Sequence, residues 1–311
     1  MKLNNLTSDN KVINGLWVGN KLSYIEILTL SSFVKHGHSF NLWVYEDIET
    51  PIPCGVSLKD ANEIIGGDQI FYYKNPNQYK HGKGSIAGFS DIFRYMLLYK
   101  KGGWWVDMDV TCIKPLNFED PYVFRAHDVL PIVGNVMKCP IHSPLMLDCF
   151  KDATANVDAD NRDWFKPIKI LSKHVFKHRL HNSIRVDLGP PDSWNVINVF
   201  RQFPVKNPGD YYIVHWLNEE WRHRGIAKND IINNSFLGNL MIEYRVVKQE
   251  SLKARNLKDF DLKSQILRVQ YLYPNIYRMI PPIISLIRFF KDLLLRAEGV
   301  YNKYVRRKQN N

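Results

Sequence analysis

The feature that most constrains this chain is a helix that stops abruptly and hands over to a short apolar run ending in two acids. Over 88–101, Phe89, Ile92, Phe93, Met96 and Leu97 recur at i, i+3, i+4, i+7 and i+8, and Gly102-Gly103 closes the segment. Trp104-Trp105-Val106 must follow as a strand, and Asp107-Met108-Asp109 comes directly after it. A helix feeding a buried strand through a glycine stop is the hallmark of α/β architecture.

The flanking sequence keeps that rhythm. Val12 to Val18 reads as a short strand, Tyr24 to Lys35 as a helix closed by Gly37, and Phe40 to Tyr45 as a second strand rich in aromatic and β-branched residues. Further on, Tyr122 to Ala126 and Ile132 to Met137 are strand-like, and Ser143-Pro144 opens a helix with a cap residue and a first-turn proline. The expectation is one α/β domain over 1–250 followed by a basic helical segment over 251–311.

At 311 residues and 45% hydrophobic, the chain can bury a large core. Met1 to Val12 lacks a charged start and apolar run, and no stretch holds the roughly 18 uncharged apolar residues of a membrane span, so a cytoplasmic chain is expected. Cys54, Cys112, Cys139 and Cys149 show no C-x-x-C spacing and are expected as buried free thiols. Net charge is +11, yet 251–311 alone carries 13 Lys or Arg against 4 Asp or Glu. The body is close to neutral and has no basic recognition motif, which argues against nucleic acid as a partner.

Asp107 and Asp109, two apart in extended backbone, would lie on one side, roughly 6.6 Å apart at Cα. Such a pair can share a hard cation, Mn²⁺ or Mg²⁺, whose shell is completed by water and a diphosphate. The plain structural alternative is an exposed turn after the strand. Asp107 to Thr111 also matches the D-x-D-x-T start of haloacid-dehalogenase-like phosphatases, with Asp107 as nucleophile. That class needs a later acidic motif, and Gly209-Asp210 has Val214 where the second carboxylate belongs.

Asp91 and Arg94 stand one helical turn apart, opposite the stripe of Phe89, Phe93 and Met96. They are either a surface ion pair or a carboxylate and guanidinium offered to sugar hydroxyls and phosphate; Leu98 on the same side shows that this face is not simply wet.

Ser90-Asp91-x-x-Arg94 followed by Gly102-Gly103-x-x-x-Asp107-x-Asp109 resembles the sugar-binding region of the DXD-containing glycosyltransferases, which include yeast initiating mannosyltransferases, bacterial capsule and lipopolysaccharide enzymes and large glucosylating toxins. The resemblance runs from Leu16-Trp17-Val18-Gly19 to His215-Trp216-Leu217-Asn218-Glu219-Glu220-Trp221-Arg222. It implies a GT-A fold, a Rossmann-like sheet with the metal motif at a strand end. By the same resemblance Trp17 stacks on the base of a UDP- or GDP-sugar, Asp91 and Arg94 hold donor-sugar hydroxyls, Asp107 touches ribose and the metal shell, and Asp109 ligates the metal. Trp105 falls near the donor, Asn135 faces the donor sugar, and His215, Trp216 and Asn218 fall in a loop closing over the diphosphate, with His215 a candidate metal ligand. Two plainer readings stand beside these: a histidine ending a buried strand over Tyr211 to Trp216, and an asparagine in an ordinary edge strand.

The implied reaction is glycosyl transfer with retention, to a glycan or lipid-linked acceptor in surface polysaccharide synthesis such as capsule or O-antigen. Inversion would call for a carboxylate base, for which the sequence offers Asp192 and Asp187. A non-catalytic sugar-binding relative is the third reading.

In the tail, Ile283, Ile287, Phe290, Leu294, Ala297, Tyr301 and Tyr304 form one apolar stripe, with Arg288, Arg296, Lys303, Arg306 and Arg307 on the other side. This is the make-up of an interfacial helix on an anionic membrane surface, placing the protein on the cytoplasmic face of the inner membrane. The same spacing would suit a helix packed on the domain or pairing two subunits.

Overall fold

The computed structural model describes residues 6–127, 129–205, 208–254, 289, 290 and 293. The α/β reading holds. The parallel half of the main sheet is built from β1 (Val12–Trp17), β2 (Ser39–Val44), β3 (Val56–Asp60) and β4 (Gly103–Val106). Helices α1 (Tyr24–Lys35) and α2 (Ala87–Lys101) lie on its two faces. The antiparallel half adds β6 (Val123–Arg125) and β7 (Val133–Cys139), with β8 (Ile184–Arg185) parallel to β6 at the edge, giving the order β3-β2-β1-β4-β7-β6-β8. A separate two-stranded sheet pairs β5 (Val110–Cys112) antiparallel with β9 (Ile213–His215).

Local chemistry fixes the boundaries. Ser23 and Glu26 form a capping box at the start of α1, the Ser23 hydroxyl accepting the Ile25 N–H and Glu26 Oε2 accepting the Ser23 N–H at 2.7 Å. Gly102, at φ +65°, ends α2 where a Cβ would meet the Ile141 backbone N at 2.5 Å, so the stop read from the sequence is also a close packing contact. Helices α3 (Pro144–Asn156) and α4 (Lys166–Lys177) pack behind α2.

The alternation of β4 divides the core between the two faces. Trp105 packs with α2, α3 and α4, while Trp104 and Val106 turn to the opposite face with Phe33 of α1, Phe40 and Leu42. All three β4 side chains are buried, each stabilising by about 1.5 to 3 kcal/mol in area terms. A third cluster joins Ile25 and Leu28 of α1 to α5 (Trp194–Gln202), Trp216, Trp221 of α6 (Asn218–His223) and α7 (Phe236–Glu243).

Two expectations change. Asp107 and Asp109 are not two residues of one extended strand: β4 ends at Val106, the Val110 N–H donates to the Asp107 carbonyl at 3.2 Å, and the motif is a tight turn. This turn is buried rather than exposed, since Asp109 is 5% accessible and the Thr29 hydroxyl pins the Met108 carbonyl at 2.9 Å. Of the four free cysteines, three are buried as expected but Cys54 is exposed. The amphipathic tail stripe lies outside the described residues save for Phe290, which is exposed. Among the described residues no helix is long and apolar enough to cross a membrane.

Candidate active site

β1 and β4 run parallel and adjacent, so Trp17 and Asp107 emerge at the same sheet edge. There they border a cleft of about 1030 Å³ that also takes in Asp91, Arg94, Asp109, Asn135, His215 and Asn218. The cleft gathers most of the sequence candidates.

Arg94 organises its floor. One guanidinium nitrogen lies 3.1 Å from Asp91 Oδ1 and another 3.0 Å from Asp107 Oδ1, and the group is 6% exposed. Gly134 makes room for it: a Cβ there would lie 2.4 Å from Arg94 Nη1. This is a buried, shared ion pair, which excludes the surface reading. Burial pushes Asp91 up to about 6, only partly offset by Arg94, with Asp107 adding repulsion. Burial also raises Asp107, against the pull of Arg94.

Asp109 sits in the opposite electrostatic setting. Burial would raise it, but His215, whose Nε2 is 3.3 Å away, and the Asn218 N–H, donating at 2.7 Å, bring it below the ordinary carboxylate range. The β5–β9 register, Val110 against His215, sets this neighbour in place. His215 in turn meets Asp192 at 3.0 Å through Nδ1, and these two carboxylates overcome burial to raise the imidazole to about 10. Asp192 is held by Arg125 through two contacts of 2.8 Å, and burial is outweighed so that its carboxyl stays far below the usual range. Asp187 is elsewhere, paired with Arg185 at 2.7 Å and absent from the cleft lining.

Asp107, Asp109 and His215 do not close into a three-ligand group; among the described residues that geometry occurs at Asp148, His174 and His178. The donor set nevertheless fits a hard cation. Asn218 Oδ1 is buried with no hydrogen bond inside the protein, and it belongs to the cleft residue whose backbone N–H grips Asp109, an unpaired oxygen of the kind a hard cation takes. Asn135 Nδ2 is likewise buried and without a partner.

The remaining candidates divide. Trp17 is half-buried, its indole N–H donating to the Lys21 carbonyl at 3.1 Å, which leaves the ring bordering the cleft with Lys228 Nζ 5.6 Å from its centre. Trp105 is 1% exposed, and its indole N–H donates to Asp107 Oδ1 at 2.7 Å. Its place is behind the carboxylate, aiming it. Trp216 is fully buried, donates to the Thr111 hydroxyl at 2.7 Å and does not line the cleft, so its side chain is core. The phosphatase alternative also loses its footing: Asp210, its nearest candidate for a second acid, is 97% exposed and paired with Lys114, away from the cleft.

Sequence reading missed Glu26, Lys228 and Arg125. Glu26 is fully buried and accepts from Asn218 Nδ2 at 3.2 Å and from Lys228 Nζ at 2.6 Å, tying the α1 cap to the far side of the cleft. The capping-box pattern Ser23-x-x-Glu26 was a local signal for that glutamate, but its reach of about 200 residues along the chain was not readable.

Residues 35–127 match the family model for the glycosyltransferase sugar-binding region containing DXD motif. That stretch holds Asp91, Arg94, Asp107 and Asp109, the residues on which the resemblance rests. Solved structures similar to this chain include the PaToxG glycosyltransferase, 14% identical, covering 54% of this chain and 68% of that one at a TM-score of 0.39. Another is the apo-form glycosyltransferase GlyE of Streptococcus pneumoniae, 10% identical, covering 78% of this chain and 61% of that one at a TM-score of 0.40. Likeness at this level says nothing of substrate. No curated protein matches the chain.

Proposed function

We propose that this protein is a metal-dependent, retaining glycosyltransferase that moves a sugar from a UDP- or GDP-sugar to a glycan or lipid-linked acceptor in surface polysaccharide synthesis, working at the cytoplasmic face of the inner membrane. The observation that carries the transferase reading is the shared Arg94. A buried guanidinium fixing Asp91 and Asp107 together, next to an independently held Asp109, is costly to build and serves no packing purpose that apolar residues would not serve better.

Asp109 would hold Mn²⁺ or Mg²⁺ with Asp107, His215 and Asn218 Oδ1 at hand. Such an ion neutralises charge on a departing diphosphate. The chain's own part is positional. Trp17 offers a flat apolar face for the base, Lys228 a cation on the same side, and Asp91 and the free amide of Asn135 offer an acceptor and a donor for sugar hydroxyls. Asp192 is spent on Arg125 and His215, which disfavours it as a general base and favours retention. The membrane placement rests on the basic, amphipathic tail sequence.

The deciding experiment is a panel of nucleotide sugars with Mn²⁺, scored for donor hydrolysis and for thermal stabilisation of the protein. A donor that both stabilises and is hydrolysed supports the reading; a panel with neither effect overturns it.

A further inference from the structure

Behind α2, away from the cleft, α3 and α4 run antiparallel and face each other with matched pairs one turn apart: Asp148 and Asp152 on α3, His174 on α4 and His178 capping its C-terminus. His178 Nε2 is 3.0 Å from Asp148 Oδ2 and His174 Nε2 is 2.8 Å from Asp152 Oδ2. Lys177 and Lys173 also reach these two carboxylates, each at 2.7 Å, from side chains that are 60% and 64% exposed.

His174 is the informative member. It is 6% exposed, and its Nε2 is committed to Asp152. Its Nδ1 is buried with no hydrogen-bond partner and looks toward Asp148 Oδ2 from 3.8 Å, too far for a hydrogen bond. With the ring proton on Nε2, the Nδ1 lone pair faces the Asp148 carboxylate. A histidine oriented by a carboxylate through one nitrogen, with the other aimed at a shared point, is how imidazole is presented to a metal ion.

We infer that His174 Nδ1, His178 Nε2 and Asp148 Oδ2 form a second cation site, distinct from the Asp107/Asp109 cleft, and that it takes a borderline divalent ion of the Zn²⁺ class. The three ligand atoms lie within 4.8 Å of one another. Bonds of about 2.0 to 2.2 Å in a tetrahedral shell place ligand atoms roughly 3.4 Å apart, so the site closes by small side-chain rotations. Two imidazoles and one carboxylate suit Zn²⁺ better than Mg²⁺ or Mn²⁺, which prefer all-oxygen shells. Lys177 is the competitor, and its exposed ion pair is of the weak, solvent-screened surface kind. Asp152 orients His174 from behind, and a bound ion staples α3 to α4 beneath the helix that carries Asp91 and Arg94.

The test is Zn²⁺ titration by calorimetry of the full chain carrying Asp109→Asn, which silences the cleft, after chelator treatment and at neutral pH. One equivalent of Zn²⁺ binds and raises the melting temperature. His178→Gln, a partly exposed position where a polar side chain of similar reach is kept, lowers the affinity at least 100-fold; Asp152→Asn lowers it about 10- to 100-fold. Lys177→Met raises it by removing the competing amine. Equal Zn²⁺ affinity in the parent and His178→Gln proteins, or no Zn²⁺ binding by the parent, overturns the site. So does Lys177→Met weakening the binding, because the pairs are then only an ion-pair lattice.

Discussion

Arg94 holds Asp91 with one guanidinium nitrogen and Asp107 with another, at 3.1 and 3.0 Å, in a setting where the arginine side chain is 6% exposed. Lysine cannot reproduce this, because one ammonium on a flexible stem does not fork between two acids. Arg94→Lys is therefore expected to lower donor hydrolysis at least 100-fold, with a modest drop in melting temperature. Arg94→Ala leaves the buried Asp91 without its counter-charge, while the partly exposed Asp107 keeps the Trp105 N–H, and should cost about 3 kcal/mol in chemical denaturation. An Arg94→Lys enzyme with near-normal turnover would refute the bridging role.

Asp109→Asn should abolish donor turnover while the protein still folds, since an amide oxygen can go on accepting the Asn218 N–H. Stability will not be untouched, because the carboxylate also faces His215 at 3.3 Å and a charged hydrogen bond is worth about 1.5 to 3 kcal/mol. Chelation of the wild type should mimic the loss of activity. Persistent transferase activity in chelator would sink the metal assignment.

Trp17→Ala should weaken nucleotide-sugar binding by about 1 to 3 kcal/mol, read as a rise in donor KM or calorimetric Kd. The ring borders the cleft beside Lys228 and is only half-buried, so the variant should fold. Unchanged donor affinity in the folded variant would count against stacking.

A pH effect on stability is expected at His38, far from the cleft chemistry. Its Nδ1 donates to the Asn10 carbonyl at 2.8 Å and its Nε2 accepts the Leu116 N–H at 3.1 Å, an arrangement only the neutral ring can make. Burial lowers its pKa from 6.5 to about 4, the hydrogen bond to Asn10 opposing only in part. The unfolded chain thus takes up this proton first as pH falls. The contribution is complete above pH 6.5 and disappears as pH falls toward 4, to the extent of about 3 kcal/mol. Denaturation curves of wild type and His38→Gln, compared between pH 7 and 4, should converge; parallel pH profiles would contradict this.

Much of the fold was legible because its signals are local. The 3.6-residue stripe of α2, the Gly102 stop, the Ser143-Pro144 opening of α3 and the apolar run of β4 each sit within one element, and each recurs in the structure within a residue or two. The acids were legible as residues but not as geometry. Extended spacing placed Asp107 and Asp109 on one strand, whereas the Val110-to-Asp107 hydrogen bond turns the chain between them. Trp216 illustrates the other limit: next to a cleft histidine in sequence but just past the end of β9, it points into the core, held there by its N–H on the Asp109 carbonyl and its indole N–H on the Thr111 hydroxyl. Glu26, Arg125 and Lys228 act across long separations that no periodicity encodes.

That turn makes the motif a joint between the two sheets. Asp107 hangs from the end of β4 and is bolted to α2 through Arg94, whereas Asp109 leads into β5 of the small sheet, its carbonyl taken by the Trp216 N–H and its carboxylate by the Asn218 N–H. Any displacement of the His215–Asn218 stretch is delivered to one acid and not to its neighbour. The gap between the carboxylates is set like the jaws of a caliper, one jaw fixed to the main sheet and the other to the small sheet that borders the cleft.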